Sequence, residues 1–291
     1  MNHMEAMEAT CRQVESALEQ YFREDCPQRE LLDAMRYSLL AGGKRIRPVL
    51  LIKFCEACGG DVSLALPAAC GIEMLHTYSL IHDDLPCMDN DELRRGKPTC
   101  HVVYGETNAV LAGDALQAAA FRAVLSGNTA PEATVAMAKT LAEAVGENGM
   151  CGGQYLDMEP NRDECGEEAL AYLHSLKTGA LLKAACLMGV YCAGGTPAQL
   201  AAAEKYAAHL GIAFQIQDDI LDVISTTEEL GKPVGSDVEE GKTTFASLLG
   251  IEKCEMLVDM HTAQAKAALM DNFADPAFLI WLADLLAKRK K

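Results

Sequence analysis

The chain has 291 residues, half of them hydrophobic but only 5% aromatic, and 42 Asp and Glu against 25 Lys and Arg give it a formal net charge of −17. So large an apolar fraction supports a sizeable core and excludes a disordered or collagen-like chain. The charge argues against general attraction to nucleic acid or an anionic membrane. Taken in order, helical periodicity is predicted over 4–22, 29–41, 48–58, 64–84, 107–126, 131–146, 166–193, 197–222, 243–270 and 276–289, with no convincing strand alternation. Glycine pairs at 42–43, 59–60, 152–153 and 194–195 punctuate the pattern as caps and turns. No linker or break in composition divides the chain, so the expectation is all-α, a single-domain helical bundle over 1–291.

No stretch reaches the roughly 18 uninterrupted apolar residues that a membrane span needs, and Met1–Thr10 is polar and acidic rather than signal-like. The 12 cysteines lie mostly in apolar runs such as Ala184–Cys192 and read as reduced, buried side chains of a cytoplasmic protein. Cys55 and Cys58 stand one helical turn apart and read as packing, because no second pair follows at zinc-site spacing. Two connections, Pro86–Cys100 and Thr226–Thr243, are too long for a compact bundle unless they have a function.

Each long connection follows an acid cluster at the end of an apolar helix. The first is Asp83, Asp84 and Asp89; the second is Asp218, Asp219 and Asp222, with Gln215 one turn before Asp218. Carboxylates at a helix C-terminus repel one another and face the negative pole of the helix dipole. A structural role would not choose that arrangement, whereas a hard divalent cation such as Mg²⁺, which keeps waters and bridges to phosphate, resolves it. In a regular helix Asp89 would lie off the Asp83 face, but Pro86 breaks the helix and lets Asp89 curl back.

Cations cluster locally despite the acidity. They occur as Lys44, Arg45 and Arg47 after the Gly42–Gly43 pair, as Arg94, Arg95 and Lys97 after the first acid cluster, and as Lys232 and Lys242 after the second. Lys177 sits inside an apolar helical stretch, where an unpaired ammonium is costly. Arg45 reads as ordinary surface charge, and the terminal Lys288–Lys291 tail admits either a surface or a functional reading. The spacing is not that of a phosphate-binding P-loop, and no serine or cysteine nucleophile constellation is present. Acid walls and phosphate-seeking cations between apolar helices suit a reaction driven by departure of a diphosphate.

The segments GGKRIRP (42–48), EMLHTYSLIHDDLPCMDNDELRRGKPT (73–99), Gly152-Gly153-Gln154 with Asp157, Lys177-Thr178-Gly179, FQIQDDILD (214–222) and Gly231-Lys232 to Asp237 resemble those of the trans-isoprenyl diphosphate synthases, bacterial farnesyl diphosphate synthases above all. The resemblance implies a bundle with a deep central cavity, a homodimer, and head-to-tail transfer between small-molecule diphosphates, with three Mg²⁺ ions or Mn²⁺ in their place. No nucleic acid or stable membrane partner is implied. It assigns metal binding to Asp83, Asp84, Asp89 and Asp218, and less centrally to Asp219 and Asp222. Isopentenyl diphosphate would be held by Lys44, Arg47, His76 and Arg95. The allylic diphosphate would be held by Arg94, Lys177, Thr178, Gln215 and Lys232, with Gln154 and Lys242 nearby. Lys177, Thr178, Gln215, Asp83 and Asp218 would carry the catalysis.

Tyr78, followed by Ser79, lies five residues before Asp83, about 7.5 Å down the helix. In the family a bulky residue there goes with stopping at fifteen carbons. Three alternatives share part of this pattern. A geranylgeranyl diphosphate synthase differs mainly at the cavity floor. A non-catalytic subunit usually loses an acid cluster or the cations, which are intact here. A terpene cyclase has no need of the Lys44, Arg47, His76 and Arg95 set.

Overall fold

The computed structural model describes residues 2–159, 166–224 and 243–289. Helices α1 (His3–Leu18), α2 (Arg29–Leu39), α3 (Ile46–Ala57) and α4 (Val62–Asp83) are followed by a ribbon of β1 (Leu93–Arg94) paired antiparallel with β2 (Lys97–Pro98). Then come α5 (Cys100–Tyr104), α6 (Glu106–Leu125), α7 (Pro131–Val145), α8 (Met150–Asp157) and α9 (Glu167–His174). A π-helical turn, Ser175–Gly179, joins α9 to α10 (Ala180–Cys192), and α11 (Pro197–Ile224), α12 (Phe245–Leu249), α13 (Ile251–Leu269) and α14 (Ala277–Ala287) complete the fold. The all-α expectation holds.

Helix α4 is the axis of the bundle. Asp61 caps it by accepting a hydrogen bond from the Ser63 amide at 2.9 Å, and its apolar residues are not confined to one stripe, as suits a core helix. By length and composition it could cross a bilayer, yet most of it is buried in protein. It packs on α3, α6 and α10, while α11 pairs with α13. The buried residues of α6 are mostly small, Ala109, Ala112, Gly113, Ala119, Ala120 and Ala123, with Leu116 and Val124 among them. Small residues let the backbones close in, so a Cβ on Gly71 of α4 would come within 2.7 Å of the Ala120 carbonyl.

Several boundaries differ from the sequence expectation. Helix α1 stops at Leu18, and the helix predicted over 243–270 is broken at Gly250, whose φ of 77° ends α12 and starts α13. The stretch 166–193 is two α-helices joined by the π turn rather than one helix. Helix α8, containing Gly152 and Gly153, reads as punctuation because glycine is a poor helix former; its packing against the π turn overrides that propensity. The short α5 and the β ribbon also lie inside connections that read as irregular. No disulfide links the described cysteines, and Cys55 Sγ donates to the Asp61 carbonyl at 3.8 Å rather than pairing with Cys58.

Arg45 corrects the sequence reading. Its side chain is 1% exposed and pairs with Glu73 (3% exposed) at 2.7 Å, while Nη2 donates to the Leu39 carbonyl at 2.9 Å. Its φ of 50° turns the chain into α3, which directs the guanidinium inward. Breaking a buried pair leaves one charge uncompensated in low dielectric. Glu73→Ala is therefore expected to cost about 3–5 kcal/mol in denaturant unfolding, and Arg45→Met with Glu73→Leu to recover most of that loss.

Candidate active site

At the end of α4 the chain folds back on itself. The Met88 amide donates to the Leu85 carbonyl at 2.8 Å and the Asp89 amide to the Asp83 carbonyl at 2.9 Å, which returns Asp89 to the Asp83 turn. Burial pushes the Asp83 carboxyl up to about 6; Lys177 opposes that shift, and the neighbouring Asp89 and Asp84 reinforce it. Asp84 is buried and ion-paired, its Oδ1 lying 2.6 Å from both Nε and Nη2 of Arg94. The residues expected to hold metal and allylic diphosphate at this point therefore neutralise each other.

The other basic set meets at one cavity of about 400 Å³, lined by Lys44, Arg47, His76 and Arg95 together with Arg45, Glu73, Leu182 and Phe214. Burial, then the Arg47 and Arg95 charges, hold the His76 imidazole neutral, its pKa well below the ordinary histidine value. Burial draws the Arg47 guanidinium down to about 10, and its shielded Nε has no hydrogen-bond partner. Arg95 and Gly96 form the two-residue turn of the β ribbon with φ of 54° and 73°, as a type I′ hairpin requires. Positive φ is strained for arginine. It lets the Arg95 guanidinium donate to the Gly42 carbonyl and occupy the space where Gly43 lacks a side chain.

The π turn carries the next group of motif residues. Lys177 Nζ donates to buried Asp157 at 2.6 Å, so this lysine is paired within the protein. Thr178 Oγ1 donates to Gln215 Oε1 at 3.3 Å, and Gln215 Nε2 donates to Asp219 Oδ1 at 3.0 Å. Gln215 thus engages Asp219 rather than the Asp218–Asp222 face. The second Asp219 oxygen accepts the Phe245 amide at 2.7 Å at the start of α12, a structural task. The Gln154 amide nitrogen is buried without a hydrogen-bond partner. A larger groove of about 650 Å³ lies over α7, α10 and α11, and of the motif residues it takes only Gly179.

Asp218, half exposed, accepts from Arg289 at 2.6 Å. The Arg289 guanidinium lies 3.6 Å over the Phe214 ring, and its Nη2 donates to the Phe214 carbonyl at 2.8 Å. Sequence reading placed Arg289 only in an undifferentiated basic tail at the end of the predicted last helix; the helix stops at Ala287, which leaves Arg289 beyond it. Lys232, Lys242, Gly231 and Asp237 lie outside the described residues. Among the described residues no three acidic, imidazole or thiol groups converge tightly on one point. The all-oxygen donors of Asp83, Asp89 and Asp218 nonetheless suit Mg²⁺ chemically, and for Asp84 or Asp218 to ligate it each must exchange its arginine.

The polyprenyl synthetase family model matches residues 28–275. The chain belongs to this family. It is 50% identical over 273 residues to geranylgeranyl pyrophosphate synthase 3, chloroplastic, of Arabidopsis thaliana, covering 90% of this chain and 76% of the relative. It is 44% identical over 279 residues to the farnesyl diphosphate synthase of Geobacillus stearothermophilus, covering 95% and 94%. The crystal structure of an FPP/GFPP synthase from Zymomonas mobilis superimposes with a TM-score of 0.88 at 35% identity, over 98% of this chain and 99% of that one. The protein is a prenyltransferase of the polyprenyl synthetase family.

Two outcomes follow from the geometry of this prenyltransferase. A Cβ on Gly153 would fall 2.2 Å from the Lys177 amide nitrogen. Gly153→Ala is expected to shift the π turn and lower turnover about 100-fold with the circular dichroism spectrum intact. Asp83 is neutral below about pH 6 and anionic above it, and the anion is the form that attracts a cation. In the free protein this should appear as a kcat/KM that falls about tenfold per unit below that pH when divalent cation is limiting. Stability runs the other way. The folded carboxyl holds its proton more tightly than the unfolded chain does, so its contribution is full below the unfolded pKa and is lost as pH rises through about 6. Asp83→Asn should raise the melting temperature at about pH 8 and leave it little changed at about pH 4.

Proposed function

We propose that this prenyltransferase condenses isopentenyl diphosphate head-to-tail with dimethylallyl and then geranyl diphosphate, and stops at farnesyl diphosphate. The observation that carries the condensation is the cavity shared by Lys44, Arg47, His76 and Arg95. It is a cationic site with an unspent buried donor, Arg47 Nε, additional to the Lys177–Thr178–Gln215 turn. A terpene cyclase handles one diphosphate and has no use for the second set.

In this reading Lys177, held by Asp157, and Arg94 face the allylic diphosphate, with Gln154 beside them. Asp83, Asp89 and Asp218, with Asp84 once released from Arg94, hold Mg²⁺ or Mn²⁺, which supplies Lewis-acid neutralisation of the leaving group. The allylic C–O bond breaks with its electron pair leaving on diphosphate. The double bond of isopentenyl diphosphate, oriented by Lys44, Arg47, His76 and Arg95, then attacks the allylic carbon. The Thr178 hydroxyl and the Gln215 carbonyl oxygen direct negative dipoles at the developing cation. No side chain stands out as a general base, so the lost proton goes to the departed diphosphate.

Tyr78 supports the fifteen-carbon limit. It precedes Asp83 by five residues in one unbroken helix, a rise of about 7.5 Å along the axis, and its side chain is half-buried. The 50% identity to a plant geranylgeranyl synthase favours a second reading in which the product has twenty carbons. A cytoplasmic homodimer completes the proposal. Val110, Leu111, Leu125 and Val135 leave an apolar surface on α6 and α7 for a second copy, and sedimentation equilibrium at twice the chain mass would support it.

Incubation with Mg²⁺, isopentenyl diphosphate and dimethylallyl or geranyl diphosphate, followed by dephosphorylation, is expected to yield a fifteen-carbon alcohol that disappears with chelator. Tyr78→Ala is expected to move the main product to twenty carbons or more. A wild-type twenty-carbon product would select the second reading.

A further inference from the structure

The residues around Tyr78 extend beyond any set assigned above. Its hydroxyl lies 3.4 Å from Cys151 Sγ, the second residue of α8. The Tyr78 ring stands edge-on to His82, one turn along α4, at 4.9 Å between centroids and 76° between planes. His82 is itself fixed. Its Nε2 sits 3.0 Å from the Val110 carbonyl of α6, and the ring fills the space over Gly113, where a Cβ would come within 2.1 Å of Nε2. Three elements thus converge on one aromatic: α4 supplies it, α6 holds its neighbour, and α8 holds its polar end.

We propose that Cys151 is a positioning residue for product length: its thiol holds the Tyr78 phenol across the path of the growing prenyl chain. The inference rests on the Tyr78 floor described above. A helical aromatic has two accessible χ1 wells, and exposed side chains exchange between wells on the picosecond-to-nanosecond scale. The His82 edge and the backbone leave the ring a hinge at its Cβ end, so a tether at the hydroxyl decides which well is populated. Burial first, and then the thiol contact, raise the phenol pKa and keep its proton in place, so the hydroxyl remains available as a donor to the thiol. Cys151 is solvent-exposed, and its thiol meets the floor residue Tyr78.

The test is the ratio of twenty- to fifteen-carbon product for wild type, Tyr78→Phe, Cys151→Ala, the double variant and Cys151→Ser, with Tyr78→Ala as reference. Loss of a net hydrogen bond of ordinary strength predicts a two- to five-fold rise, roughly, for Tyr78→Phe and for Cys151→Ala. The double variant should rise no further than either single one, because both remove the same contact. Cys151→Ser, which keeps a polar partner, should return toward wild type. Total condensation by Cys151→Ala should be unchanged. If Tyr78→Ala lengthens the product while Tyr78→Phe and Cys151→Ala do not, the floor stands and the role of Cys151 is refuted. Additive effects in the double variant refute it as well. If a folded, active Tyr78→Ala keeps the wild-type product, the floor reading itself fails, and the inference with it.

Discussion

Carboxylates gathered at the C-termini of two core helices are the constraint from which the rest of the site is built. Each helix already presents negative potential at that end, and Asp83 adds the cost of burial, seen in its raised pKa. The protein offsets this charge with cations brought from elsewhere in the chain. Arg94 arrives on a two-residue strand to meet Asp84, and Arg289 returns from beyond α14 to meet Asp218. Lys177 lowers the Asp83 pKa from across the site while anchored to Asp157. Both arginine pairs are exchangeable in principle, since each guanidinium can trade a carboxylate for a phosphate oxygen with little change in its donor geometry. In the proposed function, the same residues that let the protein tolerate its acid walls are the ones that would receive a diphosphate.

Placing the cations demands close backbone approach. Gly153 of α8 lies against the Lys177 backbone and Gly211 of α11 against Gly179, pinching the π turn from two sides. A π turn replaces the i→i+4 pattern with i→i+5 and is frequent at functional sites. Here it sets Lys177 and Thr178 against Asp157 and Gln215, contacts that pull on both flanking helices. On the opposite wall Arg95 accepts a left-handed backbone conformation to reach over Gly43. In both places the scaffold accepts a less favourable local conformation in order to fix a cation.

Much of this was legible in the sequence because it depends on local pattern. Helical periodicity gave the long core helices, and Pro86 after Asp83 implied the fold-back that the Asp89 amide completes. What escaped reading depends on contacts between distant segments. Arg45 lies among surface-seeking cations in sequence, and only the positive φ before α3 turns it toward Glu73. Asp219 reads in sequence as a less central metal residue beside Asp218, yet one of its oxygens is committed to the Phe245 amide and the other to Gln215. Arg289 and Asp157 gain their meaning from partners 71 and 20 residues away, a relation with no periodic signature. Helix α8 was hidden by its own glycines, which are there for a neighbour rather than for the helix.

The unspent donors follow from the same economy. Arg47 Nε, Gln154 Nε2 and two nitrogens of Arg289 are shielded from water without hydrogen-bond partners, whereas buried donors are nearly always satisfied. Each such group carries a desolvation penalty of about 1–3 kcal/mol. Together with the strained turn at Arg95 and the burial of Asp83, they leave the free protein less stable than its core allows. A ligand supplying anionic oxygens to the donors and positive charge to the carboxylates relieves these terms in the folded state alone. Linkage then requires the fold to be stabilised in proportion to occupancy. Neither half of that ligand suffices: anion alone aggravates the acid walls, and cation alone leaves the donors unpaired. Under the proposed function, metal and diphosphate would therefore bind as one unit, with affinity for each raised by the presence of the other.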